Sequence, residues 1–221
     1  MPWLRSSWPR SSVTSRGGPV PETSASNGRP PRRDLPELWV CHLGTIEYRD
    51  GLVLQERVRQ TDRGGQVTYH GPGQLVGYPI VRVDDVVAYV RLLEQALVQA
   101  LSEEGIRGRT RPEEGPDFTG VWVEDRKIAS IGVHVARGVT THGFAVNVEN
   151  DLQPFGWVVP CGLEGVQMTS LIKETGRLAG QLKCFRRRAA FCVSEALGRR
   201  QRLVSLSRLE AAVSPPAATP V

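Results

Sequence analysis

The stretch GVWVEDRKIASIGVHV (120–135) decides the fold class. Apolar, largely β-branched residues fill 120–123 and recur from 127 to 135, and Glu124-Asp125-Arg126 between them is a polar turn, so the spacing predicts a two-stranded hairpin. A further turn at Ala136-Arg137-Gly138 leads into a third strand over 140–148. Upstream, Val86, Val90, Leu93, Leu97 and Leu101 recur at spacings of three and four. With Asp84 and Asp85 as caps and Gly105 as a stop, they predict a helix over 86–104. A second helix is expected over 186–197, closing at Gly198. Residues 38–43 form a β-compatible run, and 47–59 suit a short helix. The expected class is α/β or α+β: one domain over residues 34–198, a mixed sheet covered by helices.

Composition narrows the function. Of the 221 residues, 40% are hydrophobic and 23% charged, as in a globular domain, and no apolar run approaches the ~20 residues of a membrane span. The net charge of +5 is confined to residues 1–33, which hold six arginines against Glu22; the rest carries 22 basic and 22 acidic side chains. The folded part therefore has no excess of cations to replace counterions on phosphates, which argues against nucleic-acid binding. Residues 1–33, rich in Arg, Ser and Pro, are expected to be a disordered tail, and 199–221, with Ser214-Pro215-Pro216, a second flexible one. The six prolines of the first tail disfavour the amphipathic helix of an organelle transit peptide, so a cytoplasmic location is expected, with a mitochondrial or other organelle matrix as the alternative.

Cys41, Cys161, Cys184 and Cys192 form no C-x-x-C pair and are expected to be free thiols. The four histidines lack zinc-site spacing, so no metal is expected. Residues 63–74 hold four glycines, a tyrosine and a histidine, which suits either a ligand-approaching loop or a turn between strands. The run is neither a Walker-type cradle nor a G-x-G-x-x-G motif. Lysines are few, Lys127, Lys173 and Lys183 against 25 arginines. Lys127, at the head of an apolar strand, reads either as a solvated turn residue or as a lysine whose proton matters, since arginine cannot give one up. Cys161, in VVPCG (158–162), reads as a small buried hydrophobe or as a nucleophile.

Taken in order, RGGQVTYHGPGQLVGYPI (63–80), GVWVEDRKIASIGVHV (120–135), THGFAVNVENDL (141–152) and VVPCGLEGVQMTSL (158–171) resemble the lipoyl(octanoyl) transferase family over about residues 40–198. The resemblance implies a fold like that of biotin and lipoate protein ligases and a cysteine/lysine acyltransferase. Cys161 matches the family's acyl-thioester cysteine and Lys127 the lysine that lowers its pKa. Substrate-binding positions match at Arg63, Gly64, Gly65, Gln66, Val67, Thr68, Tyr69 and His70, at Ser130, Ile131 and Gly132, and at Gly143, Phe144 and Ala145. One departure stands out. Gln55-Glu56-Arg57-Val58-Arg59-Gln60 runs straight into Thr61-Asp62-Arg63, without the several tens of residues, including a Glu-His-Pro strand, that the family usually carries there.

The resemblance further implies octanoyl-acyl carrier protein as donor and, as acceptors, lipoyl domains of 2-oxoacid dehydrogenase E2 subunits and the glycine cleavage H protein. It implies no cofactor, and a monomer is expected. An octanoyl chain needs an apolar slot, for which Val67, Tyr69, Ile131 and Phe144 are candidates. Arg107, Arg109 and Arg111 are candidates for steering acidic partners, or belong to a solvated loop. The alternatives are an ATP-dependent lipoate-protein ligase and an inactive relative that binds acyl groups or lipoyl domains.

Overall fold

The computed structural model of the chain describes residues 34–59, 69–156 and 166–213, with the backbone alone for 55–59. All of them fall within one contact unit, Arg32–Val221. The expected hairpin and third strand form a meander: β3 (Gly120–Val123), β4 (Arg126–Ala136) and β5 (Val139–Asn147). Its second turn, Arg137-Gly138, has φ of +53° and +73°, the positive pair whose twist matches that of the strands it joins. On the far side of β5 lies β2 (Gln74–Gly77), antiparallel, and β6 (Gln167–Met168) runs parallel to β4 at Arg126 and Lys127. The sheet is therefore mixed. Among the described residues β2 is an edge strand, and its four residues keep that edge short.

Two helices cover one face. The periodicity over 86–104 yields α2 (Val86–Ser102), where Asp85 accepts a hydrogen bond from the Ala88 amide at 3.0 Å, and Gly105, at φ +85°, ends the run. We expect Asp85→Ala to cost about 1 kcal/mol, read as a lower denaturation midpoint at unchanged slope. Helix α4 (Leu182–Ala196) begins earlier than its apolar pattern suggests. Leu93, Leu97 and Leu101 of α2 and Phe185, Ala189 and Val193 of α4 meet Leu75, Val121, Ile128 and Val146 of the sheet in one core.

The remaining elements are β1 (Glu37–Val40), α1 (Tyr48–Arg59), a short α3 (Leu171–Thr175), β7 (Arg200–Leu203) and α5 (Leu206–Val213). The flexible tail expected from residue 199 is corrected as far as 213. Strand β7 pairs in parallel with β1, satisfying backbone groups that each strand alone would leave open, and Arg200 and Arg202 share the Glu37 carboxylate at 2.5 and 2.9 Å. The expected tails at 1–33 and 214–221 lie outside the described residues.

A bulge positions the site. Val121 pairs with Ala129, but Trp122 pairs with Lys127, so Ile128 is the extra residue on β4. Strand alternation places Trp122 on the opposite face from Val121, which lies in the core under the helices. The bulge thus carries Lys127 to that other face, beside Trp122.

Candidate active site

Register brings together motifs that are separate in sequence. Ser130, Ile131 and Gly132 lie opposite Ala145, Phe144 and Gly143, and Gln74 lies opposite Asn147. Cross-strand partners share a face, so Lys127, Ser130, Gly132, Gly143, Ala145, Asn147 and Gln74 stand on the face away from α2 and α4. Above Gly132 no described atom lies within 4 Å of where a Cβ would stand. At Gly143, by contrast, a Cβ would overlap the Gly77 carbonyl oxygen.

The proposed apolar slot needs a correction. Ile131 and Phe144 fall on the alternate parity and pack with the core on the helix side, Phe144 being 6% exposed. Only their backbones are shared with the face that carries Lys127. Tyr69, whose ring meets Phe155 edge-on at 5.3 Å, is the slot candidate left among the described residues. Arg63, Gly64, Gly65, Gln66, Val67, Thr68 and Cys161 lie outside them.

Lys127 is 2% exposed, which corrects the reading of it as a solvated turn residue. Its Nζ lies 5.2 Å from the centre of the Trp122 ring, where the indole face favours a cation, and Met168 is its cross-strand neighbour on β6. The Trp122 indole is itself fixed, because Nε1 donates to the Phe118 carbonyl at 2.9 Å and the Arg111 guanidinium lies 4.6 Å from its ring centre. Gly120 opens β3, and its amide donates to the fully buried Glu94 carboxylate at 2.8 Å; Arg91 pairs with the other oxygen at 2.6 Å. This ties the first residue of β3 to α2. Two of the three arginines considered for steering are engaged locally: Arg111 pairs with Glu114, and Arg109 donates to the Glu124 carbonyl and to Asp125.

A chain of polar contacts runs across the same face. His70 Nδ1 lies 2.7 Å from Gln74 Oε1, Gln74 Nε2 donates to Asn147 Oδ1 at 2.9 Å, and Asn147 Nδ2 donates to the Thr169 carbonyl at 3.0 Å. The Thr169 amide in turn donates to the Lys127 carbonyl at 3.0 Å. Of these residues, only His70 and Lys127 are candidates on sequence grounds. Gln74, Asn147, Thr169 and Trp122 were missed, and the signal for Asn147 was parity: a buried amide alternating with Gly143 and Ala145 along one face of an apolar strand.

Glu174 of α3 anchors this region. It accepts from Thr169 Oγ1 and pairs with Arg126 at 3.1 Å. Burial raises its pKa, but the hydrogen bonds and charge of Arg126 and the Thr169 hydroxyl together hold it below the ordinary carboxylate value. A carboxylate with a depressed folded pKa stabilises above its unfolded pKa and loses that contribution as pH falls through the folded one. We therefore expect the stability gap between the native chain and Glu174→Gln to be constant above about pH 5 and to shrink below about pH 4, measured by denaturant titration. A gap independent of pH would contradict this.

Three free cysteines are described. Burial, then the Glu103 charge, pushes Cys192 to about 11, and burial, then Glu210, raises Cys41. Both therefore stay thiols at neutral pH and are poor nucleophiles. Cys184 is exposed on α4, the helix that packs on the other face of the sheet from Lys127.

Residues 55–183 match the lipoyl protein ligase A/B catalytic domain, a span that holds Lys127, Cys161 and the three motifs named above as candidates for binding. The chain belongs to the lipoyl protein ligase A/B catalytic-domain family. An octanoyltransferase of Solibacter usitatus is 59% identical over 108 residues, covering 47% of this chain and 47% of the relative. An octanoyltransferase of Mycolicibacterium gilvum is 47% identical over 154 residues, covering 66% and 63%. The chain thus spans about half to three fifths of the length of these relatives. Among solved structures, a protein of T. acidophilum assigned as a lipoate protein ligase, with bound lipoic acid, superposes with TM-score 0.61 at 15% identity, covering 80% of this chain and 92% of its own. A lipoate-protein ligase A bound with ATP gives 0.53 at 19% identity, covering 66% and 60%. At such identities these two show the fold, that of the ligase A/B catalytic domain.

Proposed function

We propose that the chain transfers an octanoyl group from acyl carrier protein to the ε-amino group of a lysine in a lipoyl domain, through an S-octanoyl Cys161 intermediate. The observation that supports it best is Lys127, buried to 2% on the face of the sheet away from α2 and α4, inside a segment matching octanoyltransferases. A free thiol with a pKa near ~8.5 is mostly protonated at neutral pH, and a lysine beside it favours the thiolate. In the first half-reaction the Cys161 proton passes to Lys127, the thiolate attacks the donor thioester, and the carrier thiol leaves with the proton Lys127 returns. In the second, the acceptor amine attacks S-octanoyl Cys161 and gives its proton to neutral Lys127, and the Cys161 thiolate departs. One lysine serves both steps, and no cofactor enters either.

In this reading the acceptors are lipoyl domains of 2-oxoacid dehydrogenase E2 subunits and the glycine cleavage H protein, and the enzyme acts as a monomer in the cytoplasm. Cys161→Ala is expected to lower transfer from octanoyl carrier protein by about 10³-fold or more, with ATP making no difference. ATP-dependent transfer from free octanoate or lipoate, unaffected by thiol alkylation, would replace this reading with a ligase.

A further inference from the structure

The contacts around His70 determine which of its nitrogens carries the proton. Two backbone carbonyls, which can only accept, anchor the argument. The Thr169 carbonyl receives a hydrogen bond from Asn147, so the NH₂ of Asn147 faces Thr169 and its Oδ1 faces Gln74. The Asp151 carbonyl likewise fixes the NH₂ of Asn150, which also donates to Asn147 Oδ1 at 3.2 Å. Facing that oxygen, Gln74 must present its own NH₂, which turns Gln74 Oε1 to His70 Nδ1 at 2.7 Å. An amide oxygen offers no proton, so Nδ1 of His70 carries one. A neutral His70 therefore keeps its lone pair on Nε2. Asn147 and Asn150 are 3% and 5% exposed, and Tyr48 of α1 lies against the imidazole with ring centres 5.6 Å apart, so both the amides and the ring are held in place.

We propose that Gln74 and Asn147 are positioning residues that lock His70 in its Nδ1–H form, so that Nε2 serves the acyl-transfer site as a hydrogen-bond acceptor for an N–H, O–H or S–H group of the reactants. The kinetic part of this rests on the transferase reading; the tautomer does not. Free neutral histidine favours the opposite, Nε2–H form, so the lock is measurable.

The test is a long-range ¹H–¹⁵N correlation spectrum of the full chain labelled with ¹⁵N-histidine, at about two pH units above the ordinary histidine value of ~6.5, with His70 assigned from a His70→Gln sample. The native chain should show a protonated Nδ1 and an unprotonated Nε2. Gln74→Leu should move His70 toward Nε2–H and lower kcat about tenfold or more, with KM for the octanoyl donor within about twofold. Gln74→Glu, whose carboxylate still accepts from Nδ1–H although it gives up the donation to Asn147 Oδ1, should keep the proton on Nδ1. A native His70 in the Nε2–H form, or a tautomer indifferent to Gln74→Leu, overturns the proposal, as does a shifted tautomer with unchanged kcat. Should Gln74→Leu not fold, the native spectrum and Gln74→Glu still decide the tautomer. A native chain with Nδ1–H His70 and no acyl transfer would sink the transferase reading and leave the positioning claim standing.

Discussion

Lys127→Met is expected to lower octanoyl transfer by about 10³-fold or more while the chain still folds. Methionine has nearly the length of lysine and no charge, so at a site 2% exposed it keeps the packing against Trp122 and Met168 and removes only the ammonium. Lys127 is not without a partner, and removing one member of a buried charged interaction is destabilising, so the melting temperature should fall somewhat. Activity should fall far more. Without the lysine, a thiol of ordinary pKa is only a few per cent thiolate at pH 7, and the acceptor amine loses a base of the kind that contributes 10²–10⁴-fold. Steady-state transfer and thermal denaturation of one sample separate the two effects. A variant retaining more than about a tenth of native activity would remove Lys127 from the mechanism.

The second large effect is expected at Gly120, and it is structural. Its φ is +139°, a conformation side chains rarely adopt, and a Cβ would overlap the Ala129 carbonyl oxygen and stand 2.9 Å from Lys127 Cε. The lysine tail can shift, but the carbonyl belongs to β4, so Gly120→Ala must push β3 away from the strand that carries Lys127. The same displacement strains the hydrogen bond from the Gly120 amide to buried Glu94. Backbone strain and overpacking together should cost about 3 kcal/mol or more, seen as a lower denaturant midpoint. Ala at Gly132, where no described atom lies within 4 Å of the added carbon, is the control that should leave stability nearly unchanged. Equal losses at both positions would contradict the geometry.

The contrast between these two glycines shows where sequence reasoning ends. The meander and α2 were legible because their periodicities are local: alternation across 120–148, and spacings of three and four from Val86 to Leu101. Strand β7 was not, because Arg200, Gln201 and Arg202 carry no apolar face; only pairing with β1 and the shared carboxylate of Glu37 make it a strand. The motifs Ser130-Ile131-Gly132 and Gly143-Phe144-Ala145 were legible as candidates, but their opposition across β4 and β5 is a matter of register. Phe144 shows the cost of ignoring parity, since an aromatic ring inside a binding motif was assigned to the slot when alternation sends it into the core. The bulge at Ile128 is the hardest feature to foresee, yet it turns Lys127 from the helix side to the opposite face. Gln74 lies beside the glycines of its loop, but its role depends on Asn147, 73 residues away, and no local pattern links the two.

The central claim is that an acyl group passes through Cys161, assisted by Lys127. It is tested most directly by intact mass of the purified chain after mixing with octanoyl-acyl carrier protein, followed by addition of an apo lipoyl domain. The account predicts an octanoyl adduct that maps to Cys161, is lost on addition of the lipoyl domain and reappears on its lysine; a folded chain that gains no adduct, or holds one that never moves, would contradict it.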